Sequence, residues 1–319
     1  MKIAIFTDTY EPEINGIVTS TATFTRMLAA DGHRVIIFCP RYEAKKDLSE
    51  KNIKIYRFRS FSFASNKNTH IALPPMTKIL KILKEENPDI IHIETPMSIG
   101  IAGVVAAKIL DIKSVQTYHT YLPDFSTYLN PAKFLGLEKI KTKVATTSIA
   151  KNIKGSGFYQ RVRDLNTRAK KELLELIPSI KIPKANLSAR SAWSFTRALY
   201  NKADLVLTPS NTLAQLLKRH GIKPPVLAQT NGIQSKDIPA RQNYKKTGKI
   251  LHFGRLGLEK EIDVVVKAFE LAWEKDKSLT LHIIGDGPAK ESLQNLVHRR
   301  VLGESVKFYG FVPHDKVVK

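Results

Sequence analysis

Residues His252 to Asp263, His-Phe-Gly-Arg-Leu-Gly-Leu-Glu-Lys-Glu-Ile-Asp, combine the residue types that hold a polyanion. Gly254 and Gly257 let the backbone come close to a ligand. Arg255 and Lys260 add two cations five residues apart, which suits a pyrophosphate. Lys249 to Phe253 reads as a short buried strand, and from Glu259 onward Val264, Val265, Ala268, Phe269 and Ala272 recur at helical spacing. A strand, a glycine turn and a helix would set both cations at the helix's positive end. A solvated surface turn has the same composition, so the segment alone leaves both readings open.

Two further places could meet a ligand. The loop Thr7-Asp-Thr-Tyr-Glu-Pro-Glu-Ile-Asn15-Gly16 follows an apolar strand and puts Gly16 at a helix start, where bare N–H groups face a phosphate. It is not the Gly-x-Gly-x-x-Gly of dinucleotide enzymes. His119 lies at the carboxyl end of the strand Ile112 to Tyr118, with Pro123 and Asp124 just beyond. That end of a strand is where an active-site side chain belongs in a parallel sheet, although a packed histidine also fits. His92 and Glu94 share a strand face. With no further ligand nearby they read as structural, and no metal is expected.

The elements needed to position these residues alternate along the chain. Strands are expected at Lys2 to Thr7, His33 to Cys39, Ile53 to Phe58, Asp89 to Glu94 and Ile112 to Tyr118. Helices are expected at Val18 to Ala30, Thr77 to Glu86 and Ile99 to Leu110. Such alternation predicts an α/β chain with a doubly wound parallel sheet. The rhythm breaks between Pro131 and Tyr200 and resumes with a strand at Asp204 to Thr208, a helix from Thr212 to His220 capped by Pro209-Ser210-Asn211, and a strand at Val226 to Thr230. Asn231-Gly232-Ile233 follows, and Ser235 to Thr247 reads as a hinge. Beyond it come strands at Leu279 to Ile284 and Val306 to Tyr309, with the turn Gly285-Asp286-Gly287-Pro288 between them.

The totals bound the partners. A length of 319 residues suffices for two α/β domains. A net charge of +22 predicts attraction to polyanions. Residues 131–200 hold 15 Lys or Arg against 4 Asp or Glu, a net +11, interleaved with apolar residues such as Phe134, Leu137, Phe158 and Leu174. This reads either as a solvated helical face or as a basic amphipathic surface for an anionic membrane. RNA ranks third, because no recognisable nucleic-acid module is present. The single Cys39 excludes an internal disulfide framework and reads as a small buried hydrophobe. The amino terminus enters a strand with no signal-peptide pattern, and the run Met97 to Ala107 falls short of the roughly 20 residues a span requires. A cytoplasmic protein, peripheral on the inner face of the cell membrane, is the expectation.

The Gly-Arg-Leu…Glu-Lys segment resembles that of the retaining glycosyltransferases of family GT4, which have the GT-B fold of two Rossmann-like domains facing a cleft. The resemblance implies that Arg255 and Lys260 bind the diphosphate of a nucleotide-sugar donor, UDP- or GDP-linked. It pairs them with Gly16 of a Pro-x-x-x-Gly-like loop and gives His119 a place near the reacting carbon of the sugar. Asn15, Asp124, Ser210, Asn231, Gly232, Gly285 and Gly287 fall where the family carries cleft residues, although Gln234 replaces the usual Asp after Asn-Gly-Ile. The Tyr-His-Thr…Pro-Asp context is most similar to the branch that glycosylates diacylglycerol and related membrane lipids. The implied domains are residues 1–235 with a basic insertion at about 131–200, a hinge at 236–247, and a nucleotide-sugar domain from 248. The family's paired-glutamate motif has no counterpart before Lys319, so the second domain is expected to be truncated.

Overall fold

The computed structural model describes residues 1–42, 50–63, 66–72, 74–119, 121, 189–232, 247–313 and 316. The chain divides into two compact units, Met1–Gly232 and Ile233–Lys319. Most of the basic stretch, Asp124, and residues 236–246 of the expected hinge lie outside the described residues.

The first unit is a seven-stranded parallel sheet in the order β3-β2-β1-β6-β7-β8-β9. Its strands are β1 (Lys2–Phe6), β2 (Arg34–Pro40), β3 (Ile53–Phe58), β6 (Ile90–Ile93), β7 (Ser114–Thr117), β8 (Leu205–Thr208) and β9 (Val226–Ala228). The central strands are continuous apolar runs because helices cover both faces. Ala4, Phe6, Ile36 and Phe38 join one core, and Ile3, Ile5, Val35 and Ile37 the other. The helices are α1 (Gly16–Ala30), α2 (Met76–Glu86), α3 (Ser98–Leu110), α4 (Ala189–Tyr200) and α5 (Asn211–Arg219). In α2 the apolar stripe Ile79, Ile82 and Leu83 is buried while the lysines stay outside, and left-handed Asn87 stops the helix before Pro88. Small residues let α3 lie close: a Cβ on Gly103 would stand 2.7 Å from the Phe6 ring.

The order along the sheet reverses between β1 and β6, so the loops after these two strands open the crevice where ligands of such sheets bind. One side chain ties the two loops together. Asp8, only 6% exposed, accepts hydrogen bonds from Thr95 Oγ1 (2.7 Å), Met97 N (3.0 Å), Ser98 Oγ (3.0 Å), Ile99 N (2.7 Å) and Gly100 N (3.2 Å). It thereby caps α3 from a different part of the chain, with its charge at the positive helix end.

Between β3 and α2 stands an antiparallel hairpin, β4 (Ser60–Phe63) and β5 (Asn66–Ala72), that the sequence reading lacks. Its second strand is mostly polar, so it carries no apolar alternation to betray it.

The second unit is a three-stranded parallel sheet, β10 (Lys249–Phe253), β11 (Thr280–Ile284) and β12 (Val306–Gly310), with helices α6 (Ile262–Lys275) and α7 (Lys290–Arg299). Leu281, Ile283 and Val306 pack with Val266, Phe269, Leu293 and Val297 from the helices. The expected buried character of β10 is corrected here. It is an edge strand, and Leu251 and Phe253 are 58% and 52% exposed because only β11 flanks it.

Replacing Asp8 by Asn turns one of its two accepting oxygens into a donor that faces other donors. Asp8→Asn is expected to cost about 3 kcal/mol, measured as a lower urea midpoint with unchanged slope. A midpoint equal to that of the parent chain would remove Asp8 as the clamp.

Candidate active site

Asn15 and Gly16 follow the carboxyl end of β1 and His119 that of β7, with β6 between these two strands, whereas Ser210 follows β8 and Asn231 and Gly232 follow β9. Asn15 is the N-cap of α1: its Oδ1 accepts from Val18 N at 2.9 Å, and its Nδ2 donates to Thr9 Oγ1 at 2.9 Å. That cap takes the third N–H of the helix and leaves those of Gly16 and Ile17 at the tip. Gly16 is exposed, with open space where a Cβ would be. The loop leading to it is braced from several sides. Glu13 accepts from Thr9 Oγ1 and faces His70 Nδ1 on β5 at 3.2 Å; Arg57 donates to the Glu11 carbonyl at 2.8 Å; and Arg26 pairs with the Glu11 carboxylate at 2.7 Å. The hairpin thus supports the loop through His70.

His119 is not solitary. Its Nε2 lies 2.6 Å from Glu94 Oε2, and both side chains are almost wholly buried. The pairing of β6 with β7 sets Ile93 beside Gln116, so the next positions, Glu94 and Thr117, are adjacent as well. His92 Nε2 is 2.7 Å from Thr117 Oγ1 and 3.6 Å from Glu94 Oε1. Burial by itself would raise the Glu94 carboxyl, but His92, His119 and the Thr117 hydroxyl outweigh it and hold Glu94 below its ordinary value. The pair His92 and Glu94 therefore serves as support for His119. Among the described residues, no group of three or more His, Cys, Asp or Glu is arranged to hold a metal.

Two nominated residues have local duties. Ser210 Oγ accepts from Leu213 N at 3.2 Å as the N-cap of α5, and Asn231 Oδ1 accepts from Ser20 Oγ of α1 at 3.0 Å. Gly232 next to it has open space around its Cα.

In the second unit the glycine turns after β10 and β11 cross in contact. A Cβ on Gly285 would stand 1.8 Å from the Gly254 carbonyl oxygen, and one on Gly287 2.4 Å from that of Leu256. Both glycines have positive φ, +142° and +157°, as does Gly254 at +152°. Backbone bonds from Gly254 N to Ile284 O (3.0 Å) and from Leu256 N to Asp286 O (3.0 Å) knit the turns. Gly285 and Gly287 are therefore the seat on which the Arg255 turn rests. Arg255 and Lys260 are both exposed.

The expected helix start is corrected. Lys260 lies in a 3₁₀ turn, Leu258–Lys260, and left-handed Glu261 (φ +49°) separates this turn from α6, which begins at Ile262. The two cations thus belong to a loop ahead of the helix. Burial, with the nearby Lys260 charge, lowers the His252 pKa and keeps that imidazole neutral at pH 7; its Nε2 is buried without a partner among the described residues.

A reversing parallel sheet in one unit and a second parallel unit with crossed glycine turns define an α/β protein of the GT-B glycosyltransferase fold. Solved structures agree on that fold. Sucrose-phosphate synthase from Thermosynechococcus elongatus matches with a TM-score of 0.62 at 14% identity, covering 99% of this chain and 72% of that one. HepE of Anabaena, in complex with UDP and glucose, matches at 0.58 and 15%, covering 98% and 70%. Residues 14–152 match the model "Glycosyltransferase Family 4" and residues 234–319 the model "Glycosyl transferases group 1", so the chain carries both glycosyltransferase domains. It is 27% identical over 314 residues to the alpha-monoglucosyldiacylglycerol synthase of Streptococcus pneumoniae, covering 98% of this chain and 62% of that protein. The enzyme of the same name from Acholeplasma laidlawii is 25% identical, covering 99% and 71%. The GDP-mannose-dependent alpha-mannosyltransferase of Mycolicibacterium smegmatis is 23% identical, covering 93% and 66%. The chain therefore spans about three fifths to seven tenths of the length of these relatives.

Because Glu94 titrates lower in the fold than its ordinary 4.5, its ionised form adds stability that is complete above that value. This contribution is lost as pH falls through the lower folded value. Glu94→Gln is expected to lower stability at pH 7 and to flatten its decline below about pH 4.5. Urea titrations across that range measure it, and an unchanged slope would assign the acid limb to other carboxylates.

Proposed function

We propose that this chain is the donor-binding and acceptor-side portion of a retaining glycosyltransferase that moves a hexose from a nucleotide sugar to a lipid hydroxyl such as that of diacylglycerol. The observation that carries the reading is the exposed Arg255 and Lys260 loop seated on Gly285 and Gly287 inside the group 1 match, which supports an anion site there. In the first unit, the N–H groups at the tip of α1 around Gly16 suit a phosphate as well. In the reaction the bond from the anomeric carbon to the diphosphate oxygen breaks, and the diphosphate leaves with the bonding pair. The acceptor oxygen forms its new bond on the same face and gives up its proton to the departing diphosphate oxygen. In the second unit Arg255 and Lys260 stabilise the charge that grows on the diphosphate; in the first unit His119 is the residue assigned to the sugar. No metal ion is required in this scheme, since the cations belong to the protein. The neighbour bound to UDP and glucose supports a nucleotide-sugar donor, and the diacylglycerol glucosyltransferases support a lipid acceptor.

A second reading, mannosyl transfer from GDP-mannose, is favoured by the mycobacterial relative. Radiolabelled UDP-glucose and GDP-mannose, each offered with diacylglycerol in anionic vesicles, separate the two by which label enters the lipid. With the productive donor, Arg255→Ala and Lys260→Ala are each expected to lower turnover by about a hundredfold, the scale of one lost electrostatic contact to a developing charge. Unchanged kinetics in both would sink the assignment of the anion site.

The lipid acceptor calls for a membrane-facing surface, and the basic 131–200 stretch has the charge for one, at about 1 kcal/mol for each Lys or Arg near an anionic bilayer. No described helix is long and apolar enough to cross a membrane, so attachment would be peripheral. Removing Leu137 to Ile182 is expected to abolish flotation with phosphatidylglycerol vesicles. Undiminished flotation would relocate the membrane contact.

A further inference from the structure

Among the described residues, Glu94 is a buried carboxylate that the Arg255 and Lys260 loop does not use. It has 3% of its surface exposed, it lies at the crevice end of β6, and burying it unprotonated is costly without donors. It accepts from His119 Nε2 at 2.6 Å and is braced on the other side by Thr117 and His92. We infer that Glu94 is a positioning residue for His119: it fixes the imidazole with its proton on Nε2 and so reserves Nδ1 as a hydrogen-bond acceptor for a hydroxyl of the bound sugar.

The chemistry follows from the inventory of the groups. An ionised carboxylate only accepts, so at 2.6 Å the facing ring nitrogen must donate. In a neutral imidazole a proton on Nε2 leaves the lone pair on Nδ1, and His119 Nδ1 has no partner among the described residues. A lone pair held there accepts from a hydroxyl and repels phosphate or carboxylate oxygens. A histidine held in this way selects a neutral sugar hydroxyl over an anionic oxygen. The brace also fixes the ring's orientation, because Glu94 and Thr117 are neighbours on paired strands. This inference deepens the functional reading above and rests on it for the identity of the ligand.

The test observes the tautomer directly and needs no turnover. In the full chain labelled with ¹⁵N-histidine, two-bond ¹H–¹⁵N correlation spectra at about pH 7.5, where an ordinary imidazole is neutral, report which ring nitrogen carries the proton. The His119 signal is identified by its disappearance in His119→Gln. The parent chain is expected to show His119 with a protonated Nε2 and a bare Nδ1. Glu94→Gln, whose amide donates as well as accepts, is expected to lose this single-tautomer signal and show both forms; Glu94→Leu, which offers no partner, should do the same. The inference is overturned if the parent chain carries the proton on Nδ1 or on both ring nitrogens at once, and equally if both variants keep the single Nε2-protonated form. The parent spectrum decides even where a variant fails to fold. Failure of sugar transfer with either donor would instead count against the functional reading and leave the tautomer result standing.

Discussion

Asp8 is a charged group with 6% of its surface exposed, and the crevice end of the first sheet depends on how that charge is satisfied. Water has been replaced by two hydroxyls and three backbone N–H groups at the start of α3. Burial pushes its carboxyl up, and the bonds from Ile99, Thr95, Gly100 and Ser98 work against that push. The result is a clamp between the loop after β1 and the loop after β6. The same two loops carry Asn15, Gly16 and Glu94. Their relative position is set by an electrostatic requirement and not by packing alone.

The second unit solves a similar problem without charge. Two loops must pass within van der Waals distance, and only glycine leaves room, since any side chain at Gly285 would overlap the Gly254 carbonyl. The crossing is then locked by main-chain bonds, which cost no side-chain entropy. Rigidity of this kind matters for an anion site, because a cation on a mobile loop must be ordered at the moment of binding. Arg255 and Lys260 start from a turn whose backbone is already fixed.

Much of this was legible in the sequence because it is encoded locally. Apolar runs such as Ile3 to Phe6 and Val35 to Cys39, bounded by polar turns, mark parallel strands, and Ser210 before Asn211 marks a helix start. The glycine turns were visible too, although periodicity cannot distinguish a 3₁₀ turn with a left-handed break at Glu261 from the first turn of a helix. The hairpin escaped because residues such as Asn66, Asn68 and His70 give β5 no apolar face to read. Asp8 and Glu94 escaped for another reason. The partners of Asp8 lie 87 to 92 residues away and that of Glu94 lies 25 away, so their contacts exist only once the strands are paired.

That division has a consequence for how the site works. On the proposed reading the locally encoded parts, Gly16 in one unit and the Arg255 turn in the other, each recognise charge, and charge attraction tolerates an imprecise geometry because it falls off slowly with distance. His119 has a different task, since a neutral hydrogen bond to a hydroxyl weakens steeply when distance or angle is wrong. It is therefore His119 that is held by the non-local apparatus of Glu94, Thr117 and His92, on paired strands of the rigid sheet. Within the first unit, precision is concentrated where the proposed interaction is most sensitive to geometry.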